Sequence, residues 1–362
     1  MTSVTGRIVT PKGVVEGRLS VRDGRITTIR KAAGVESQWV LPGFVDIHNH
    51  GGGGHTFTTG DPDSARGAAA FHLGHGTTTL LASLVSSPFE VMREAVTAFA
   101  PLVADGVIAG VHFEGPYLSH ARCGAQNPSY LRDPDRAELA ELIKLAEGSL
   151  RMVTIAPERP GALDAIAALR EHGIVVAIGH TDGTFEQVRS GIAAGATVAT
   201  HLFNGMRPML HREPGPIVAL LDSPEVVCEL VADGVHLHDA VLAFAAHAAG
   251  PGRTALITDA IDAAGMPDGE YDLGGQTVVV ADRVARLKQG GSIAGSTLTM
   301  DAALRQAVGA GLSIVDAAQM AATTPARVLG LDKRTAPGCD ADLVVLDDDL
   351  HVLRVMRAGA WQ

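Results

Sequence analysis

The chain of 362 residues is short of several things at once. It has only three cysteines, Cys123, Cys228 and Cys339, far apart in sequence. An odd count at wide spacing excludes both a disulfide framework and a thiolate zinc knuckle, so any metal must use nitrogen and oxygen ligands. Aromatic residues make up 4%, and 29 basic residues stand against 40 acidic ones for a formal charge of -11. With no basic stripe interleaved with aromatics, a nucleic-acid partner is not expected. No apolar run approaches the length of a membrane span, and the start MTSVTGRIVTPKG lacks the charged and apolar regions of a signal peptide. A cytoplasmic protein without a membrane partner is the expectation. There is also no repeat period and no low-complexity linker.

What is present is a recurring alternation. Apolar runs of strand length occur at 40–50, 77–85, 106–115, 151–158, 174–181, 196–203, 227–236 and 253–261, each followed by an alanine-rich helical stretch. Runs that are apolar nearly throughout suit strands covered on both faces, and alternation with helices implies a parallel sheet. The pattern predicts an α/β fold, a (β/α)8 TIM barrel, for which this length is ordinary. Asp61-Pro62, Ser87-Pro88 with Glu90, and Asp133-Pro134 read as helix starts. The two ends differ: 1–40 and 341–362 read as short strands and turns without a helix, and are expected to pair. The predicted organisation is a small β-sandwich domain from residues 1–45 plus 336–362 around a catalytic barrel of 46–335. A hairpin is expected within 274–296, between the eighth strand and the last helices.

The chemistry gathers at the strand ends. In VDIHNH, residues i and i+2 of a strand share a face, so His48 and His50 project together, a geometry for gripping one ion. Alone, such a pair would as readily be one core and one surface histidine. However, Glu114 ends the third run, His180 the fifth, His201 the sixth, His236 the seventh and Asp259 the eighth. In a barrel of this kind those ends converge on one catalytic face. Imidazole and carboxylate ligands suit a divalent ion, zinc or iron(II), with an open position for water. Glu114, His180 and His201 would hold one ion; His48 and His50, with Glu114 bridging, could hold a second. Such an ion lowers the pKa of water and polarises a carbonyl, and Asp259 is placed to accept a proton and return it to a leaving amine. The reaction class implied is hydrolysis of an amide or a related bond. The glycines 51–54 are expected to let the backbone approach the metals and what they act on closely. His112 shares the face of Glu114 but reads as structural, and His72, His75, His172 and His247 as surface or packing residues.

The motifs PGFVDIHNHGG, GVHFEGPYL, AIGHTDGT, THLFNGMRP with REPG, ADGVHLH, LITDAIDAAG and AGSTLTM resemble those of the amidohydrolase superfamily, nearly end to end. More narrowly the chain is similar to the branch that removes acetate from N-acetylglucosamine 6-phosphate. Glu114 in HFEGP is the specific element, where many relatives use a modified lysine on the fourth strand, and MVTIAPE offers none. The resemblance implies a divalent metal, one or two ions per subunit, on Glu114, His180, His201 and on His48, His50, with Asp259 as acid and base. It implies that Gln126, Asn204, Gly205, Arg212 and His236 contact a small-molecule sugar phosphate. It further implies a homodimer in which Arg212 and His236 serve the neighbouring site. Gln126 stands where some relatives carry a histidine, and it cannot titrate. Cys123 lies in the same loop, expected to fold over the substrate as a lid. Two alternatives are a related hydrolase of another N-acyl sugar or cyclic amide, and a catalytically silent metal-binding protein; Asp259 argues against the latter.

Overall fold

The computed structural model describes residues 2–362. Eight strands form the barrel: β1 (Phe44–Asp46), β2 (Thr77–Leu84), β3 (Gly110–Glu114), β4 (Leu150–Ile155), β5 (Val175–Ile178), β6 (Val198–Ala199), β7 (Val227–Val231) and β8 (Thr254–Ile257). Each is hydrogen-bonded to its sequence neighbours in strict order and in parallel. The strands are buried almost end to end, which is why their sequences are apolar without alternating. The eight helices that follow them, from Pro62–Gly74 after β1 to Met300–Gly309 after β8, cover the outside.

The ring has one junction without a strand ladder, between β1 and β8, and side chains close it. Thr258 Oγ1 donates to Asp46 Oδ2 at 2.6 Å, and Asn49 Nδ2 donates to the same oxygen at 2.9 Å. Asp259 N donates to His48 O at 2.9 Å. Asp46 is wholly buried, and that burial raises its pKa despite these bonds.

Both chain ends contribute to one seven-stranded mixed sheet, in the order Ala360–Trp361, Val352–Arg357, Leu343–Leu346, Trp39–Pro42, Thr2–Thr10, Gly13–Arg22, Arg25–Lys31. A bridge from Arg25 to Asp340 returns the far edge strand to the chain just before Leu343. The sheet thus curls around its own core of Val4, Ile8, Leu19, Val21, Ile26, Val40, Leu343, Val345 and Met356. At Gly43 the chain passes from sheet to barrel so tightly that a Cβ would lie 2.4 Å from Thr78 Oγ1.

Three local expectations differ from what is observed. The helix at Phe89 is capped by Pro88 without a side-chain bond, because Ser87 Oγ turns back to Val85 O at 2.8 Å. The helix expected from Asp133 starts at Arg136, where Asp135 accepts from Ala137 N and Glu138 N. The insertion before the last helices is a three-stranded meander, Gly269–Leu273, Gln276–Ala281 and Val284–Leu287, so one strand precedes the expected hairpin. Among the described residues no helix is long and apolar enough to cross a membrane.

Candidate metal centre

The strand ends place the candidate residues with a regularity the sequence did not advertise. Glu114 is the last residue of β3, whereas His48, His180, His201 and Asp259 each lie two residues beyond β1, β5, β6 and β8. Three of these leave the strand with a left-handed backbone: His180 at φ 45, His201 at φ 28 and Asp259 at φ 51. For residues other than glycine this costs on the order of 1–3 kcal/mol each and persists only where the surroundings enforce it. Strain of this kind at three converging strand ends points to a site.

Two buried clusters result, His48–His50–Asp259 and Glu114–His180–His201, the ligand atoms of each lying within 4.8 Å of one another. In the second, Glu114 Oε1 is 2.9 Å from Nε2 of both His180 and His201. Its Oε2 lies 3.2 Å from His50 Nε2, so Glu114 stands between the clusters. Asp259 Oδ1 is 3.3 Å from His50 Nε2 and 3.6 Å from His48 Nε2.

The four imidazoles share one orientation. Nδ1 of His50 faces Ser83 O at 3.1 Å, that of His180 faces Arg122 O at 2.8 Å, that of His201 faces Asn204 O at 3.1 Å, and that of His48 faces Glu229 Oε2 at 3.1 Å. Three of the four partners are carbonyls, which can only accept, so Nδ1 carries the proton and Nε2 is left with its lone pair. Yet Nε2 of His48 and His50 are 3.1 Å apart, as are those of His180 and His201. Nitrogens brought together at that distance need positive charge between them, a shared proton or a metal ion. The donor set and its supporting partners fit one divalent ion per cluster.

Electrostatics point the same way. Burial disfavours a charged His50, but the Asp259 and Glu114 carboxylates overcome it and raise its pKa to about 9. The same contest, settled chiefly by Glu114, raises His48 and His180. Burial pushes Asp259 up, yet His48 and His50 bring it down to about 2, and Glu114 is likewise held well below the usual carboxylate range by His48 and His180. The mouth therefore has a strong demand for positive charge.

A cavity of about 280 Å³ opens over the clusters, lined also by Gln126, Asn204, Gly205 and His236, with Val85, Leu273 and Ile293 forming an apolar side. His236 lies in this chain's own cavity: its Nε2 is 4.0 Å from Asp259 Oδ2, and its Nδ1 donates to Asp233 Oδ2 at 2.7 Å. Asp233 anchors the ring inward from the same loop, so His236, expected at a neighbouring site, stands within reach of this chain's own clusters. Arg212 is not brought to the cavity; it is exposed, beside His211. Gln126 lies at the cavity with its amide engaged by the protein, Nε2 donating to Glu114 Oε2 at 2.6 Å and Oε1 accepting from Ser86 N at 2.7 Å. Cys123 is half-buried in the loop whose Arg122 carbonyl holds His180.

The glycine run at 51–54 proves to have another reason. A Cβ at Gly52 would lie 2.5 Å from Phe71 and 2.6 Å from His72 Nε2, so the loop packs on the helix behind it and not over the clusters. His72 is correspondingly buried, and burial drives its pKa down to about 4. Other glycines do approach the clusters, among them Gly205, at φ +61, where a Cβ would come within 2.8 Å of His180 Nδ1. His112 is closed off, its nitrogens 2.9 Å from Ser83 Oγ and 2.9 Å from Thr154 Oγ1. Glu229 and Asp233 were missed from sequence; for Asp233 the spacing to His236 in ADGVH was an available signal, and for Glu229 there was none.

Comparison with known proteins agrees with this geometry. Residues 39–361 match the amidohydrolase family. An N-acetylglucosamine-6-phosphate deacetylase of Lysinibacillus sphaericus is 34% identical over 94% of this chain and 91% of its own length. An N-acetylgalactosamine-6-phosphate deacetylase of Escherichia coli O157:H7 is 36% identical over 98% of this chain and 97% of its own. An aspartate-to-alanine variant of the Mycobacterium smegmatis N-acetyl-D-glucosamine-6-phosphate deacetylase, solved with N-acetyl-D-glucosamine-6-phosphate, superposes with a TM-score of 0.97 at 45% identity, covering 99% of this chain and 98% of that one.

Proposed function

This chain belongs to the amidohydrolase family, and we propose that it hydrolyses the N-acetyl group of N-acetylglucosamine 6-phosphate to glucosamine 6-phosphate and acetate. The observation that carries the reading is the convergence of four Nε2 lone pairs and two carboxylates at the barrel mouth, each imidazole fixed from behind by an oxygen acceptor. We assign Glu114, His180 and His201 to one divalent ion, zinc or iron(II), and His48 and His50 to a second, with Glu114 between them.

A bound divalent ion supplies Lewis-acid chemistry, making water more acidic and an amide carbonyl more electrophilic. The residues do the rest. Asp259, ionised near neutral pH, accepts the proton of the attacking water as the new C–O bond forms. It then delivers that proton to the nitrogen as the C–N bond breaks, so the amine leaves neutral and Asp259 is regenerated. His236, its ring fixed by Asp233 and its Nε2 facing Asp259, presents a hydrogen bond to the substrate. Asn204 and the Gly205 backbone line the end assigned to the sugar phosphate. Arg212, exposed and outside its own cavity, is assigned to the phosphate bound by a second copy, in a homodimer; a guanidinium suits that partner because it binds phosphate through two parallel bonds.

A second reading concerns the sugar, because the relatives include a deacetylase of the galactosamine epimer at comparable identity. Acetate release is to be followed from N-acetylglucosamine 6-phosphate, N-acetylgalactosamine 6-phosphate and unphosphorylated N-acetylglucosamine. The expected order is the gluco phosphate first and the unphosphorylated sugar last. Faster turnover of the galacto phosphate selects the second reading, and failure of both phosphates in metal-loaded protein removes the substrate class.

A further inference from the structure

Glu229 sits in the middle of β7, fully buried, in the otherwise apolar run VCELV. One of its oxygens, Oε2, does two things. It accepts from His48 Nδ1 at 3.1 Å and from the backbone N–H of His201, also at 3.1 Å. The first bond fixes the tautomer and direction of a ring in the His48–His50–Asp259 cluster. The second holds the backbone of His201, a residue of the other cluster, where φ is 28. The remaining oxygen, Oε1, is buried without a hydrogen bond to any described residue.

We propose that Glu229 is a positioning residue shared by the two clusters, a single carboxylate oxygen that orients one ligand of each and so ties the binding of the two ions together. The inference rests on the two-ion reading above. Partners behind metal-binding histidines commonly govern affinity by 10–100-fold. Here the partner is unusual in standing behind both centres, through a side chain on one side and a strained backbone on the other.

The test needs no substrate. Metal-free wild type, Glu229→Leu and Glu229→Gln are titrated with Co²⁺, with d–d absorption and a competing chelator giving the two dissociation constants and circular dichroism giving the melting temperature. Wild type is expected to take up two ions. In Glu229→Leu both constants are expected to rise, the larger by about 10–100-fold. Glu229→Gln can still accept both bonds but without charge assistance, and should raise both by about fivefold. Cys228→Ala, in the same strand, serves as a control for general destabilisation. The proposal is overturned if the Leu variant folds and keeps both wild-type constants, or if only one constant moves, which would confine Glu229 to a single cluster. It is equally overturned if Cys228→Ala shifts both constants as much. Should the Leu variant fail to fold, the Gln variant decides, unchanged constants again overturning the proposal. Wild type binding fewer than two ions removes the two-ion reading and the inference with it, whereas failure of the sugar substrate in a two-ion protein leaves the inference standing.

Discussion

The two clusters at the barrel mouth are built from the same residue types but are braced differently. His48, His50 and Asp259 are braced by strands: Glu229 of β7, Ser83 O of β2, and the bond from Asp259 N to His48 O across the barrel junction. Glu114, His180 and His201 are braced mainly by loops: Gln126 and Arg122 O of the 119–126 segment, and Asn204 O of the turn after β6, with Glu229 of β7 reaching only the backbone N–H of His201. One centre is therefore fixed by the scaffold, and the other is tied to segments that also line the cavity. The lesson is that metal affinity and substrate access are separable in the first cluster and coupled in the second.

The largest effect is expected from Asp259→Asn, which removes the proton carrier while leaving an oxygen in the strand-braced cluster. Turnover should fall by about 10²–10⁴-fold, with the metal content measured alongside remaining near that of wild type. Loss of the ion together with activity would show that Asp259 acts as a ligand before it acts as a base. Next, Gly205→Ala places a methyl 2.8 Å from His180 Nδ1 on a backbone at φ +61. Zinc titration should show the loop-braced ion weakened by roughly tenfold, with a smaller weakening of the strand-braced ion passed on through Glu114 and Glu229, in keeping with the weight of such supporting contacts.

Removing metal sharpens the contrast directly. After chelation, hydrogen exchange followed by mass spectrometry should rise in 119–126 and 201–207 and stay slow in 44–50, because only the first two depend on the ion for their anchoring. Uniform acceleration over all three would erase the distinction. The smallest effect lies outside both clusters. Asp301 opens the helix after β8, bonds His75 beside the helix after β1 and pairs with Arg305. Burial raises its pKa, but these partners more than offset that and hold it well below the usual carboxylate range. A depressed carboxylate contributes stability above its unfolded pKa of about 3.9 and loses it as pH falls. Asp301→Asn should thus cost about 1–3 kcal/mol at neutral pH, with the gap from wild type in denaturant titrations closing below about pH 4, and metal binding unchanged.

What could be read in advance follows physical lines. The eight strands were legible because parallel strands covered on both faces must be apolar throughout, and the ligand residues because they cluster at strand ends. Side-chain choices between competing local bonds were not: Ser87 turned to its own carbonyl neighbour, and Asp135 displaced Asp133 as a cap. The glycine run at 51–54 was legible as a close approach, but nothing in sequence says that the object approached is Phe71. Gln126 and His236 were marked as substrate residues. Their bonds to Glu114 and Asp233 arise only when separate loops meet in space. Glu229 lies in an apolar run with no motif around it, and its two partners are 181 and 28 residues away in the chain.

The curled sheet also sets a schedule for synthesis. Its strand at Trp39–Pro42 leads straight into β1, yet its neighbour on one side, Leu343–Leu346, is made only after the whole barrel has been translated. Until then a nascent chain carries an unpaired β-edge beside the first barrel strand, the kind of surface that invites pairing with other chains. Completion of the small sheet must therefore wait for the end of the chain, although β1 can pair with β2 long before. A ribosome-bound chain halted before residue 343 would hold its barrel strands but leave the Trp39–Pro42 edge open.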